Sequence, residues 1–320
     1  MKRLLTTAFV SCLTASATVS HGVILYSSPT RNTTPPSGSL AGSGWQYQGQ
    51  WGEFLGTPIA PQYFVTASHV GGTIGQNFSY NGSSYPVSAG FSSPNSDLTI
   101  WKINGTFDTF APLYRGGSEN GKGVVVFGRG TQRGTEVRAR NGQLKGWTWG
   151  AYDSVQSWGT NSVSSIVNAG PGAGSLLKIN FDARGGANEA SLSGGDSGGA
   201  MFLQDGGVWK LAGINRGVDG PFSTTGVDGS GFLAAIFDQG GLYTGGDGRW
   251  SFVKDSGKDI AAGAYATRIA SNLSWIDGVT SGSVAATIGG GAGTSGAVPE
   301  PAGVALLAAG AGLMLKRRRR

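Results

Sequence analysis

Apolar and polar positions alternate over short stretches along most of this chain, and turn residues break the stretches every few positions. Alternation with a period of two marks half-buried strands, because successive side chains on an extended backbone point to opposite faces. Gln76 to Tyr80 and Ser83 to Val87 flank Asn81-Gly82, a pair suited to a two-residue hairpin turn. Leu98 to Ile103, Gly123 to Phe127, Ser175 to Phe181, Met201 to Leu203 and Val208 to Ile214 are further predicted strands. Asp205-Gly206-Gly207 turns the last two into a second hairpin. A helical period of 3.6 shows only from about Thr267 to Ile276, where Ile269, Leu273 and Ile276 share one face beside Trp275. The pattern predicts an all-β body with one short C-terminal helix, long enough for two barrels or sandwiches.

Composition agrees with this reading. Among 320 residues there are 58 glycines and only 13% charged side chains, which suits many turns and short strands. The net charge of +6 sits at the ends, in Lys2, Arg3, Lys316 and Arg317 to Arg320. With these and Glu300 set aside, acids and bases balance. A neutral body gives no support for nucleic acid or an anionic membrane as its partner.

The ends read as processing signals. Lys2 and Arg3 precede an apolar run, and Ala15-Ser16-Ala17 offers a small-x-small cleavage site, so residues 1–17 are expected to be a secretory signal peptide. The only cysteine, Cys12, lies within it, and the exported body would therefore carry no disulfide. Residues 18–280 form the expected folded body and 281–297 a Gly/Ala/Ser linker. Residues 298–320 hold Val298-Pro299-Glu300-Pro301, an apolar run from Ala302 to Leu315, and the basic cluster. The run is shorter than the ~20 residues that span a bilayer. This segment resembles the PEP-CTERM sorting tail of bacterial envelope proteins. The resemblance implies transient inner-membrane association, a sorting peptidase that removes the tail, and a body left in the envelope, at the cell surface or outside the cell.

Candidate chemistry starts from histidine, of which there are two. His21 lies just past the expected cleavage site. His69 ends the apolar stretch Tyr63-Phe64-Val65-Thr66-Ala67-Ser68, at a strand terminus rather than in a core. Gly194-Gly195-Asp196-Ser197-Gly198-Gly199 permits a tight turn whose N–H groups converge on one point, as stabilising an oxyanion beside a nucleophilic serine requires. Gly195 and Ser197 are the expected donors. Asp97 precedes the strand Leu98 to Ile103, flanked by Ser96 and Thr99, where a carboxylate can be half-buried and held by hydrogen bonds.

The order His69, Asp97, Ser197, each in its own string, resembles the chymotrypsin/trypsin family of serine proteases. Ile59 to Tyr63, Val125 to Gly130, Leu211 to Ile214, and Tyr265 to Ile269 with Trp275-Ile276 extend the similarity in order from about Gly52 to Asp277. The resemblance implies two six-stranded antiparallel β-barrels with the site between them. It also implies an endopeptidase of protein or peptide substrates, with His69, Asp97 and Ser197 as catalytic triad and no cofactor. Export is the expectation from the chain's ends, and one body histidine with no cysteine leaves no expected metal site. A silent surface or binding protein with the same fold is the alternative. An esterase of the α/β-hydrolase type is disfavoured, since there the serine comes first in the chain.

Three departures from the family carry expectations of their own. Val70 and Ser193 stand where animal members have cysteines. Asp196, which in the family pairs with an N-terminal ammonium, has two candidate partners. One is a new terminus at Val23-Ile24-Leu25, and the other an internal arginine among Arg129, Arg133, Arg138 and Arg140. In the specificity pocket, Ser191 replaces a basal aspartate and Gly263 is the expected back wall, giving an open, uncharged pocket for large apolar residues. Arg216, near the wall, is the competing feature and would attract acidic side chains. A Gly/Asp-rich insertion, residues 218–262, separates the walls, and calcium ligation by Asp219, Asp228, Asp238 and Asp247 lacks ligand spacing.

Overall fold

The computed structural model describes residues 22–289. The expected signal peptide, residues 1–17, and sorting segment, residues 298–320, lie outside the described residues, as do His21 and residues 290–297 of the linker.

The first barrel is built from β1 (Gly49–Trp51), β2 (Phe54–Ala60), β3 (Tyr63–Ala67), β4 (Asn77–Tyr80), β5 (Ser83–Ser92) and β6 (Leu98–Ile103). They neighbour one another in the order β5-β4-β1-β2-β3-β6, and the pairing of β5 with β6 closes the ring. Ile288–Gly289 adds a short strand to β5. The second closed barrel consists of β7 (Gly123–Gly128), β8 (Ser157–Asn168), β9 (Ser175–Asn180), β10 (Ala200–Asp205), β11 (Val208–Val218) and β12 (Gly263–Arg268). Its order is β8-β9-β12-β11-β10-β7. Among the described residues, two six-stranded antiparallel barrels and one α-helix, α1 (Leu273–Thr280), make the chymotrypsin-like arrangement expected from the sequence.

The helix begins later than its 3.6-residue pattern predicts. Thr267 and Arg268 are extended, because β12 is hydrogen-bonded to β9 on one side and β11 on the other, and two ladders outweigh a weak helical preference. Asn272 closes the intervening turn. Its amide donates to the Arg268 carbonyl while its oxygen accepts from the Ser96 hydroxyl at 2.8 Å, which ties the start of α1 to the residue before Asp97.

One apolar core joins the barrels. Leu55, Val65, Leu98 and Ile100 of the first pack with Phe127, Phe202, Leu211 and Ile214 of the second, and Ile276 and Val279 of α1 close it. Each fully buried Leu, Ile or Phe contributes roughly 1.5–3 kcal/mol relative to exposure. The two barrels are therefore held against each other without a disulfide.

The inserted residues 218–262 are organised rather than a loose loop. Ala234–Ile236 pairs with Gly146 to Thr148 of the hairpin Thr131–Arg138/Leu144–Tyr152, extending it to three strands. Ala235 and Phe237 pack with Trp147, Phe181 and Ile24. Lys145 reaches from the hairpin into the insertion, where it is buried and bonded to Asp238, with Asp255 at 3.2 Å.

Candidate active site

Antiparallel pairing brings two parts of the site together. Ala67, at the end of β3, lies opposite Leu98, at the start of β6, so the residues just beyond them, His69 and Asp97, share one rim. His69 sits in a single 3-10 turn, Ser68–Val70. Its backbone N–H donates to Asp97 Oδ1 at 3.0 Å and its Nδ1 lies 2.6 Å from Asp97 Oδ2. Asp97 is buried, whereas His69 is exposed to the cleft.

Ser197 arrives from the second barrel, three residues before β10, with its Oγ 2.8 Å from His69 Nε2. A carboxylate only accepts, so Nδ1 carries the ring proton and Nε2 is free to accept from the serine hydroxyl. The close approach of the barrels depends on Gly198 (φ +76°): a Cβ there would collide with Thr66 Oγ1 and the Leu55 carbonyl of the first barrel. Gly195 is likewise left-handed (φ +93°), and among the described residues neither its N–H nor that of Ser197 has an intramolecular acceptor. Two free donors flanking a nucleophile are what an oxyanion site requires.

Asp196 is fully buried. Its Oδ1 accepts from Gly130 N–H at 2.8 Å, and its Oδ2 from Ser193 N–H at 2.7 Å and Ser193 Oγ at 3.0 Å. Burial pushes its carboxyl up to about 6, against these bonds and the charge of Arg31. None of the four candidate arginines forms an ion pair with it among the described residues. Arg129 bonds the Ser154 carbonyl, Arg133 the Tyr26 carbonyl, and Arg138 both Glu136 and the Gly142 carbonyl. The cation near Asp196 is instead Arg31, buried beside Asp153 at 3.3 Å, and burial lowers its guanidinium to about 10. Nothing local in Pro29-Thr30-Arg31-Asn32 signals this role, because a loop delivers the side chain. Val23, Ile24 and Leu25 are buried, with Ile24 and Leu25 paired to Ser191 and Ala190.

The residues expected to shape the open, uncharged pocket are closely packed. Ser191 is buried under that short pairing. The space in front of Gly263 is filled by Lys178, the Tyr265 hydroxyl and Asp219, whose carboxylate accepts from Gly263 N–H at 2.6 Å and Tyr265 OH at 2.7 Å. The insertion starts at this point, and its first polar residues fold onto the wall. Arg216 lies with its Nε 3.5 Å from Asp97 Oδ2. The four aspartates considered for calcium do not gather into one group among the described residues. Asp238 pairs with Lys145, while Asp228 and Asp247 accept from Gly248 and Gly229 N–H. The cavity of about 550 Å³ between Asp182–Gly185 and Gly257–Asp259 has none of the three central residues in its lining.

No protein-family model matches this chain, and none of the curated proteins does. Among solved structures, it is similar to neuropsin, a serine protease expressed in the limbic system of mouse brain. The TM-score is 0.46 at 14% identity, over 78% of this chain and 97% of neuropsin. It is also similar to a mutant of human heparin binding protein (CAP37), with TM-score 0.46, 15% identity and coverage of 78% and 95%. A third is an inactive mutant form of Rv3671c from M. tuberculosis H37Rv, with TM-score 0.43, 11% identity and coverage of 80% and 100%. These are likenesses of fold.

Proposed function

We propose that this protein is an exported serine endopeptidase in which Ser197 is the nucleophile, His69 the general base and Asp97 the residue that orients the imidazole. The observation that carries the reading is the unbroken chain Asp97 Oδ2–His69 Nδ1 at 2.6 Å and His69 Nε2–Ser197 Oγ at 2.8 Å. His69 takes the serine proton as Oγ attacks a peptide carbonyl, and the tetrahedral oxyanion accepts from Gly195 and Ser197 N–H. The imidazolium, held by the Asp97 carboxylate, then protonates the leaving amine, and water repeats the cycle on the acyl-enzyme. Export, and release or retention at a bacterial envelope, rests on the two terminal segments of the sequence.

The test is labelling of the purified body with a serine-directed phosphonate, wild type beside Ser197→Ala, read by intact mass and site mapping. One adduct at Ser197, absent from the variant, is expected. A folded wild type that takes no adduct would point to a binding protein with a silent site.

A further inference from the structure

Strand β11 slips against β12 where it passes the site. Asn215 is paired with Ala266 and Gly217 with Tyr265, leaving Arg216 as the unmatched residue of a bulge. A bulge bends its strand and re-aims a side chain, and here it turns Arg216 toward Asp97. The Arg216 Nε lies 3.5 Å from Oδ2, the same oxygen that His69 Nδ1 meets at 2.6 Å. Both side chains are largely out of water, at 15% and 10% exposure. A guanidinium stays charged at any working pH, and its attraction for a carboxylate grows as water is excluded.

The strand itself is fixed on both sides of this contact. Asn215 is buried: its amide donates to the Phe127 and Asp196 carbonyls, its N–H to the Gly199 carbonyl, and its carbonyl accepts from Gly198 N–H. One strand segment therefore grips the loop that carries Ser197 and sets a permanent cation on the acid. Arg216 Nε has no hydrogen-bond acceptor among the described residues, so what it delivers to Asp97 is charge rather than a bond.

We infer that Arg216 is a positioning residue, acting through Asp97 to hold its Oδ2 turned to the imidazole; the inference rests on the function proposed above. Arg216→Gln is expected to lower kcat on a peptide substrate by about 10- to 100-fold, the range of one lost interaction with a charged group. KM should stay within about twofold, and Arg216→Lys should recover most of the rate. In an Asp97→Asn background the same change should cost nothing further, since the group it acts on is gone. The low-field proton resonance of His69 Nδ1–H, identified by its loss in His69→Ala, should move in Arg216→Gln.

Wild-type kcat in Arg216→Gln, a loss confined to KM, or full additivity with Asp97→Asn would each overturn the inference. The resonance separates it from the proposed function. A wild type that neither labels nor cleaves sinks the peptidase, yet a displaced resonance in Arg216→Gln would still uphold the positioning and an unmoved one would end it. Arg216→Met, which keeps the buried stem, serves in the same cycle should Arg216→Gln fail to fold.

Discussion

His69 holds Asp97 twice: its backbone N–H donates to Oδ1 at 3.0 Å and its ring Nδ1 lies 2.6 Å from Oδ2. Contacts on both oxygens fix the position and the rotation of the carboxylate. The imidazole is thereby held in the tautomer that leaves Nε2 open to Ser197. Asp97→Asn keeps the shape but places an amide N–H where an acceptor is needed. The ring then presents the wrong tautomer, and kcat is expected to drop by roughly 10⁴. Steady-state kinetics with an unchanged melting temperature would check this.

The seat of Asp196 is shaped by a missing side chain. A Cβ on Gly128 would run into the Asp196 carboxylate. Gly128→Ala should displace that carboxylate from Gly130 and Ser193, pulling the Gly195–Ser197 turn out of shape. Phosphonate labelling is expected to slow by more than about 100-fold, with a loss of stability in the usual 1–3 kcal/mol range for overpacking. Labelling at the wild-type rate would show that the turn keeps its form without Asp196.

A buried carboxyl outside the site makes stability depend on pH. Burial pushes Glu189 up to about 8, against the Asp182 N–H that its Oε1 accepts at 2.9 Å. The folded state then binds a proton that the unfolded chain gives up near 4.5. Stability from this group is complete below pH 4.5 and is lost as pH rises through about 8. Melting temperature should therefore fall between pH 5 and 9, and Glu189→Gln should flatten the fall. Each kcal/mol corresponds to roughly 2–4 °C for a domain of this size. Parallel melts of the two proteins across that range provide the check.

A buried cation helps to hold the inserted segment. Lys145→Met strands Asp238 without its partner, which is expected to cost about 3–5 kcal/mol and to expose residues 218–262 to limited proteolysis. Lys145→Met combined with Asp238→Asn should be less damaged than Lys145→Met alone, because the pair is removed together. Urea titrations of the wild type, of Lys145→Met and Asp238→Asn singly and of the double variant measure the coupling.

Much of this molecule is written locally. Asn81-Gly82 fixes the β4–β5 hairpin and Asp205-Gly206-Gly207 the β10–β11 hairpin, since few residues tolerate those backbone angles. The glycines around Ser197 announce a tight turn for the same reason. His69, Asp97 and Ser197 each stand in a string that marks them as candidates before any contact is known.

What the string cannot carry is decided by pairing and packing. Periodicity alone puts Thr267 and Arg268 in the helix, whereas they are strand, as the family resemblance of Tyr265 to Ile269 implied, because β9 and β11 offer two ladders at once. The Gly/Asp-rich residues 218–262 carry no local sign of their structure, yet Lys145 bonds Asp238 across a separation of 93 residues and ties them to the hairpin. Arg216 turns to Asp97 because of a bulge, a register property of two strands rather than of either. Arg31 reaches the neighbourhood of Asp196 from a loop, where no periodicity aims a side chain. Composition and turn chemistry determined the elements and the reactive residue types. Only the closed barrels determined which charges meet, because an electrostatic contact depends on distance in space, and that distance is set by non-local hydrogen bonds.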